Sequence, residues 1–180
     1  MDSYLLAEAI GGLALVLAFS FHQIKQPRLS ILALCIPSML WVTHFSLLGG
    51  VSGMIMSSVA LCRNISATLL PQRFSSHAII LFISIGISFV LYFAEHITDL
   101  TPIAAAVLIG TAALKRDHPV QYRLCYMSGE LIWAAYGFVI GSTSLIIAST
   151  LLASSVLISL VRHNILPNIK PRQAQPHAAE

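Results

Sequence analysis

Residues 29–62 run for 34 positions without a single Asp, Glu, Lys or Arg. As one helix this stretch would be about 50 Å long, against a bilayer hydrocarbon core of about 30 Å. Gly49-Gly50, with Gly53 close behind, divides it. The stretch therefore predicts a tight hairpin of two spans, 29–48 and 51–70. A second uncharged stretch, residues 131–161, carries Gly141 near its middle. With 122–130 placed in front, it predicts spans near 121–140 and 143–162. Only 9% of the 180 residues are charged and 57% are hydrophobic, whereas soluble domains carry about 25% charged residues. A chain this poor in charge cannot clothe a soluble surface. That excludes a cytosolic enzyme, a disordered chain and a secreted disulfide scaffold, and leaves an all-α membrane protein.

Three further runs complete a seven-span reading: 4–23, 74–94 and 100–114. The fifth span, 100–114, is short, reaching about 22 Å, with Asp99 and Lys115 at its interfaces. A six-span arrangement with that segment re-entrant is the alternative. Asp2 precedes the first apolar run, while Lys25 and Arg28 follow it. That order predicts a retained first helix with its N-terminus outside, not a cleaved signal peptide. Seven spans then place Lys25, Arg28, Arg73, Lys115, Arg116, Arg123, Arg162, Lys170 and Arg172 inside, and Asp2, Glu95 and Asp99 outside. This is the positive-inside pattern, with a cytoplasmic C-terminus. Residues 1–163 read as a single transmembrane domain. Residues 164–180, rich in proline and polar side chains, read as a disordered cytoplasmic tail.

A lag of 92 residues brings the two uncharged hairpins into register. Pro27 falls on Pro119, Leu32 on Leu124, Trp41 on Trp133, Gly49 on Gly141, Ser52 on Ser144 and Ser57 on Ser149. The two tryptophans of the chain match each other. The organisation read from this is repeat one (4–70), a linking helix (76–95) and repeat two (100–162). Three spans is an odd number, so the linking helix lets the second triplet enter from the same side as the first. The 3+1+3 repeats are then parallel, which is a transporter signature with the site near mid-membrane. Parallel duplication also occurs in membrane proteins that move nothing.

Three ionised groups fall inside spans: Glu8, Arg63 and Glu130. Arg63 lies about 18 Å into a helix entering from outside, and Glu130 about 13 Å into one entering from inside. These depths nearly coincide, so Arg63 and Glu130 are the expected buried ion pair. The pair either locks two helices or holds a ligand or proton. Glu8 falls only about 6 Å from the outer surface, closer to water. Trp41 and His44 share a helical face with Pro37 a turn earlier. Their lag partners are Trp133, Tyr136 and Gly129. Two flat aromatics facing across an axis could stack on a sugar ring or a small apolar ligand. Interior packing is the competing account. Gly11-Gly12 and the serines of spans three and seven favour close helix packing.

The motif Tyr4-x-Leu6-Ala7, a first span with Gly11-Gly12, the run His44-Phe45-x-Leu47-Leu48-Gly49, and a third span carrying Arg63 resemble the bacterial YgjV-type inner-membrane protein family, through residue 163. That resemblance implies a bacterial inner-membrane location and names no activity. More distantly, the three-one-three layout resembles the SWEET and PQ-loop transporters, which implies alternating access for small sugars or amino acids. Pro37, Pro102, Asn64, Trp41 and Trp133 match their pattern. Gly129 stands where the second span has Pro37, Val156 stands where the third has Asn64, and Pro71-Gln72 lies at a span end.

The expected function is a small-solute carrier, sugar-like or amino-acid-like. Its ligand-binding residues would be Trp41, His44, Asn64, Trp133 and Tyr136, with Arg63 and Glu130 as charged elements. The alternative is a non-transporting scaffold or accessory subunit. An intramembrane enzyme needs a nucleophile and base at one depth, and no such combination stands out. Only a hydrated pocket bringing His44 to a serine or carboxylate would change that. No catalytic residue, metal site or cofactor is expected. Cys35, Cys62 and Cys125 show no metal or disulfide spacing. The lipid bilayer is the expected partner, with a small solute and a homo-oligomer compatible and nucleic acid excluded.

Overall fold

A computed structural model of the chain describes residues 2–22, 26, 29, 32–115 and 117–162. Lys25, Arg28, Arg116, Lys170 and Arg172 of the charge map, Pro27 of the lag, and the tail 164–180 lie outside the described residues. Among the described residues there are seven α-helices and no strand. They are α1 (Ser3–His22), α2 (Cys35–Leu48), α3 (Val51–Leu69), α4 (Gln72–Phe93), α5 (Thr101–Leu114), α6 (Pro119–Ile140) and α7 (Thr143–Leu160). By length and composition four segments can cross a bilayer: Ser3–Phe21, Arg73–Phe93, Ile97–Leu114 and Thr143–Leu160. α2 is a shorter apolar helix.

The helix ends follow local chemistry. Gly49 (φ 73°) and Gly141 (φ 69°) both end their helices in the left-handed region, which costs glycine little and other residues more. The next N–H closes each turn in the same way. Gly50 N donates to Phe45 O and Ser142 N to Gly137 O, each at 2.9 Å. The Ser142 side chain then caps α7 by accepting from Leu145 N at 3.2 Å. Pro37 and Pro102 sit in the first turns of α2 and α5, where a missing N–H breaks no intrahelical bond. The short fifth run gains a 3₁₀ turn, Ile97–Leu100, which lengthens the apolar segment to Ile97–Leu114. Asp99 fixes that turn by accepting from Glu95 N and His96 N.

Each helix packs against the next along α1, α2 and α3, and again along α5, α6 and α7. The triplets meet where α1 packs on α7 and α3 on α5, and through side chains of α2 and α3 that reach α6, while α4 packs on α3 and α5. The interior is lined by small side chains that admit close approach. Ala7, Gly11 and Ala14 form the buried face of α1. Ser52, Ser57 and Ser66 on α3, and Ser144 and Ser149 on α7, are also buried. Leu, Ile, Val and Phe face outward on every helix, as a lipid-facing surface requires.

Candidate functional site

The glycine turns bring the ends of α2 and α6 together with the starts of α1, α3 and α7. At this end the two tryptophans do not touch a shared open space. The Phe45 ring lies between them, stacked on Trp41 at 5.9 Å and 30° and on Trp133 at 5.7 Å and 23°. Phe45 is 1% exposed. It fits because Gly53 on α3 has no side chain: a Cβ there would stand 2.8 Å from the Phe45 ring and 2.9 Å from that of Tyr136. Such offset aromatic contacts each contribute about 0.5–1.5 kcal/mol beyond burial.

His44 and Tyr136, the lag partners, each reach into the opposite triplet. Tyr136 Oη is 3.0 Å from Ser52 Oγ and accepts from Gly53 N at 3.3 Å. His44 Nδ1 is 2.7 Å from the Ala7 carbonyl, and Nε2 is 2.9 Å from Ser142 Oγ. A carbonyl only accepts, so Nδ1 carries the proton. In the neutral ring Nε2 then accepts from the Ser142 hydroxyl. Trp41 meets the imidazole edge-on at 5.1 Å. His44 and Ser142 are both fully buried.

Glu8 completes this junction. Its Oε2 accepts from Ser144 N at 2.7 Å, at the positive N-terminal end of α7. Its Oε1 is buried without a hydrogen-bond partner. The residue as a whole is half-buried beside the start of α7. One turn before, Tyr4 Oη donates to Gly141 O at 3.1 Å. The helices meet here at close range because of Gly11: a Cβ at that position would overlap Ser144 Oγ and stand 2.9 Å from His44 Nδ1.

The charged elements lie deeper. Glu130 is 6% exposed, with the Tyr126 and Ser149 side chains beside its carboxylate. Arg63, half-buried, lies within electrostatic range of Tyr126, Tyr122 and Glu130, with no direct ion pair between it and Glu130 among the described residues. Tyr122 and Tyr126 stack at 6.0 Å. Asn64, one residue on from Arg63, donates from Nδ2 to Ser38 Oγ at 3.3 Å. It sits toward the opposite end of α2 from His44. The five residues expected to bind ligand therefore fall in two places. Trp41, His44, Trp133 and Tyr136 belong to the junction, and Asn64 to the deeper polar layer.

The imidazole–hydroxyl contact of His44 and Ser142 has the distance of a nucleophile and its base. Both groups are sealed, and Ser142 Oγ is engaged in capping α7. The arrangement holds helices together and offers no substrate access. Among the described residues no group of three or more His, Cys, Asp or Glu could hold a metal. Phe45, Ser142, Ser144 and the Ala7 carbonyl are the partners that sequence reasoning missed. Phe45 could have been found from its lag position, since it pairs with Gly137, a large ring against a residue with none.

On the far side of the junction the α1–α7 seam changes character. Phe19, Leu151, Ser154, Ser155 and Ile158 line an open groove of about 400 Å³ there. α1 and α7 run parallel; the hydrogen bonds across the seam lie at the glycine-turn end, and the groove at the other end is lined by outward-facing residues.

Fold and site together define a polytopic α-helical membrane protein whose two helix triplets are locked by a buried polar and aromatic junction. The model of the Imp-YgjV family, described as bacterial inner membrane protein, matches residues 5–165, and the chain belongs to that family. It is a multi-pass protein of the bacterial inner membrane. No curated protein and no solved structure matches the chain.

Proposed function

We propose that the chain carries a small solute across the inner membrane by alternating access. One observation carries this reading: the hydrogen bonds of Tyr4, Glu8 and His44 at the α1–α7 seam gather at its glycine-turn end, while its other end shows only a shallow surface groove. A carrier closed on one side and opening on the other has that asymmetry. The helix contacts support it further. Exchanging α1, α2 and α3 with α5, α6 and α7 maps α1–α2 onto α5–α6, α2–α3 onto α6–α7, and α1–α7 onto α3–α5. That is the contact pattern of a parallel 3+1+3 repeat, with α4 as the linking helix. In this reading the N-terminus faces the periplasm and the glycine turns form the periplasmic closure. The solute, sugar-like or amino-acid-like, meets Trp41 and Trp133 from the cytoplasmic side, above Asn64, Arg63 and Glu130.

A second reading, a scaffold or accessory subunit, has its own observation: Phe45 fills the space between the tryptophans. A thermal-shift screen of the purified protein against sugars, amino acids and small anions separates the two, because a ligand of the folded state raises its melting temperature by mass action. A carrier gives at least one hit that Trp41→Ala or Trp133→Ala abolishes. A well-folded protein with no hit across the panel contradicts the carrier and leaves the scaffold.

A further inference from the structure

We infer that Arg63 and Glu130 are opposite charges held apart to receive a zwitterion: an amino acid binds between them, its carboxylate on Arg63 and its ammonium on Glu130. This rests on the carrier reading and narrows its solute from sugar-like or amino-acid-like to an amino acid.

The site lies where α3 and α6 face each other. α3 packs directly on α2, α4 and α5, and α6 on α5 and α7, so α3 and α6 meet across the middle of the bundle mainly through side chains. Tyr136 closes this gap at the glycine-turn end, with its Oη 3.0 Å from Ser52 Oγ. Helix geometry places the rest. Arg63 stands about 16 Å below Ser52 along α3, close to three full turns on, and so shares the face that meets α6. Glu130 stands about 9 Å below Tyr136 along α6. The two charges are therefore offset by about 7 Å along the gap. Below the junction Trp133, Glu130, Tyr126 and Tyr122 recur at helical spacing along one face of α6. Tyr122, 36% exposed, stands at the end of the gap opposite the glycine turns.

The offset accounts for the state of the two charges. The Arg63 guanidinium makes no hydrogen bond and no ion pair among the described residues. Glu130 is buried, with the uncharged side chains of Tyr126 and Ser149 beside its carboxylate. Charges inside a membrane are costly and ordinarily pair. These two lie within electrostatic range of each other without touching, whereas a pair that only locked two helices would touch. An amino acid supplies both missing contacts. Its carboxylate accepts from the guanidinium fork and its ammonium donates to the Glu130 carboxylate, in charge-assisted bonds of about 2.8 Å. No covalent bond changes and no proton moves. A sugar answers neither charge. A simple anion meets Arg63 but is repelled by Glu130, and a simple cation meets the reverse, so the pair selects against both.

The test follows the melting temperature of the full chain in lipid nanodiscs against the common L-amino acids and glucose. The tightest-binding amino acid is then compared with the amine that lacks its carboxylate and the acid that lacks its ammonium. At least one amino acid is expected to stabilise the protein, and each one-charge analogue to bind about 30-fold or more weakly. In Glu130→Gln the acid should bind at least as well as the amino acid, and in Arg63→Gln the amine should. A merely structural pair would not produce that reciprocal switch. A best ligand that is glucose, or analogues as tight as the parent, overturns the zwitterion site and leaves the carrier. That result is read on the wild type, whether or not the variants fold. Amino-acid binding that persists in both variants also overturns the site. A folded protein with no hit overturns site and carrier together. An amino acid that binds as described but does not exchange across proteoliposome membranes removes the carrier and leaves the site.

Discussion

Two adjacent glycines in α1 separate packing from propensity. Gly11 faces Ser144 and His44 with no room for a Cβ, while Gly12 has nothing within 4 Å. Gly11→Ala forces α1 away from α7 and strains the bonds from His44 to Ala7 and from Ser144 to Glu8. Overpacking of this kind costs about 1–3 kcal/mol. Gly12→Ala meets open space and gains helix propensity of up to about 1 kcal/mol. Thermal denaturation of the purified variants should show Gly11→Ala melting well below wild type and Gly12→Ala at or slightly above it. Equal melting temperatures would mean that the α1–α7 contact is looser than its geometry. The sequence marks both glycines as packing residues and cannot separate them. The difference depends on which neighbour each one meets across 130 residues of chain, and that has no local signature.

Most elements are legible because membrane spans are written in what they omit. The uncharged runs and their central glycines place α3, α6 and α7 within a few residues of their observed ends. Gly49 and Gly141 are legible for a stronger reason, since each occupies a backbone conformation that other residues adopt at a cost. The extension of α5 through Ile97–Leu100 was not legible, because Asp99 reads as an interface charge and acts as a cap. The functional layer divides in the same way. Trp41, His44, Trp133 and Tyr136 stand out by their shared lag, but their partners are set by packing between helices. Arg63 and Glu130 were paired from depth alone; α3 and α6 place them within electrostatic range of each other and of Tyr126. Removing only the guanidinium leaves a buried carboxylate without its cation. Loss of one partner of a buried pair costs about 3–5 kcal/mol, and neutralising the other recovers part of that. Arg63→Ala should therefore lower the melting temperature more than Arg63→Ala with Glu130→Gln. Equal damage in the single and double variants would remove the coupling.

At the scale of the molecule, the two triplets meet at α1 with α7, at α3 with α5, and at α2 and α3 with α6, with α4 bridging. Polar bonds concentrate at one end of the α1–α7 seam, and a groove opens at the other. Bonds that are few, directional and local to one end suit an interface that opens and recloses, whereas a uniformly packed seam would suit a permanent one. If the chain carries its solute by alternating access, the triplets rock about this seam. The most direct measurement places label pairs at both ends of it, Ser3 with Thr143 at the clasp and Phe19 with Ile158 at the groove, in the full chain in nanodiscs. Distances are followed across the solute panel. Alternating access predicts reciprocal populations: every condition that lengthens the clasp distance shortens the groove distance, and none lengthens both. Two distances that stay fixed under all conditions, or that move in the same sense, would contradict the account.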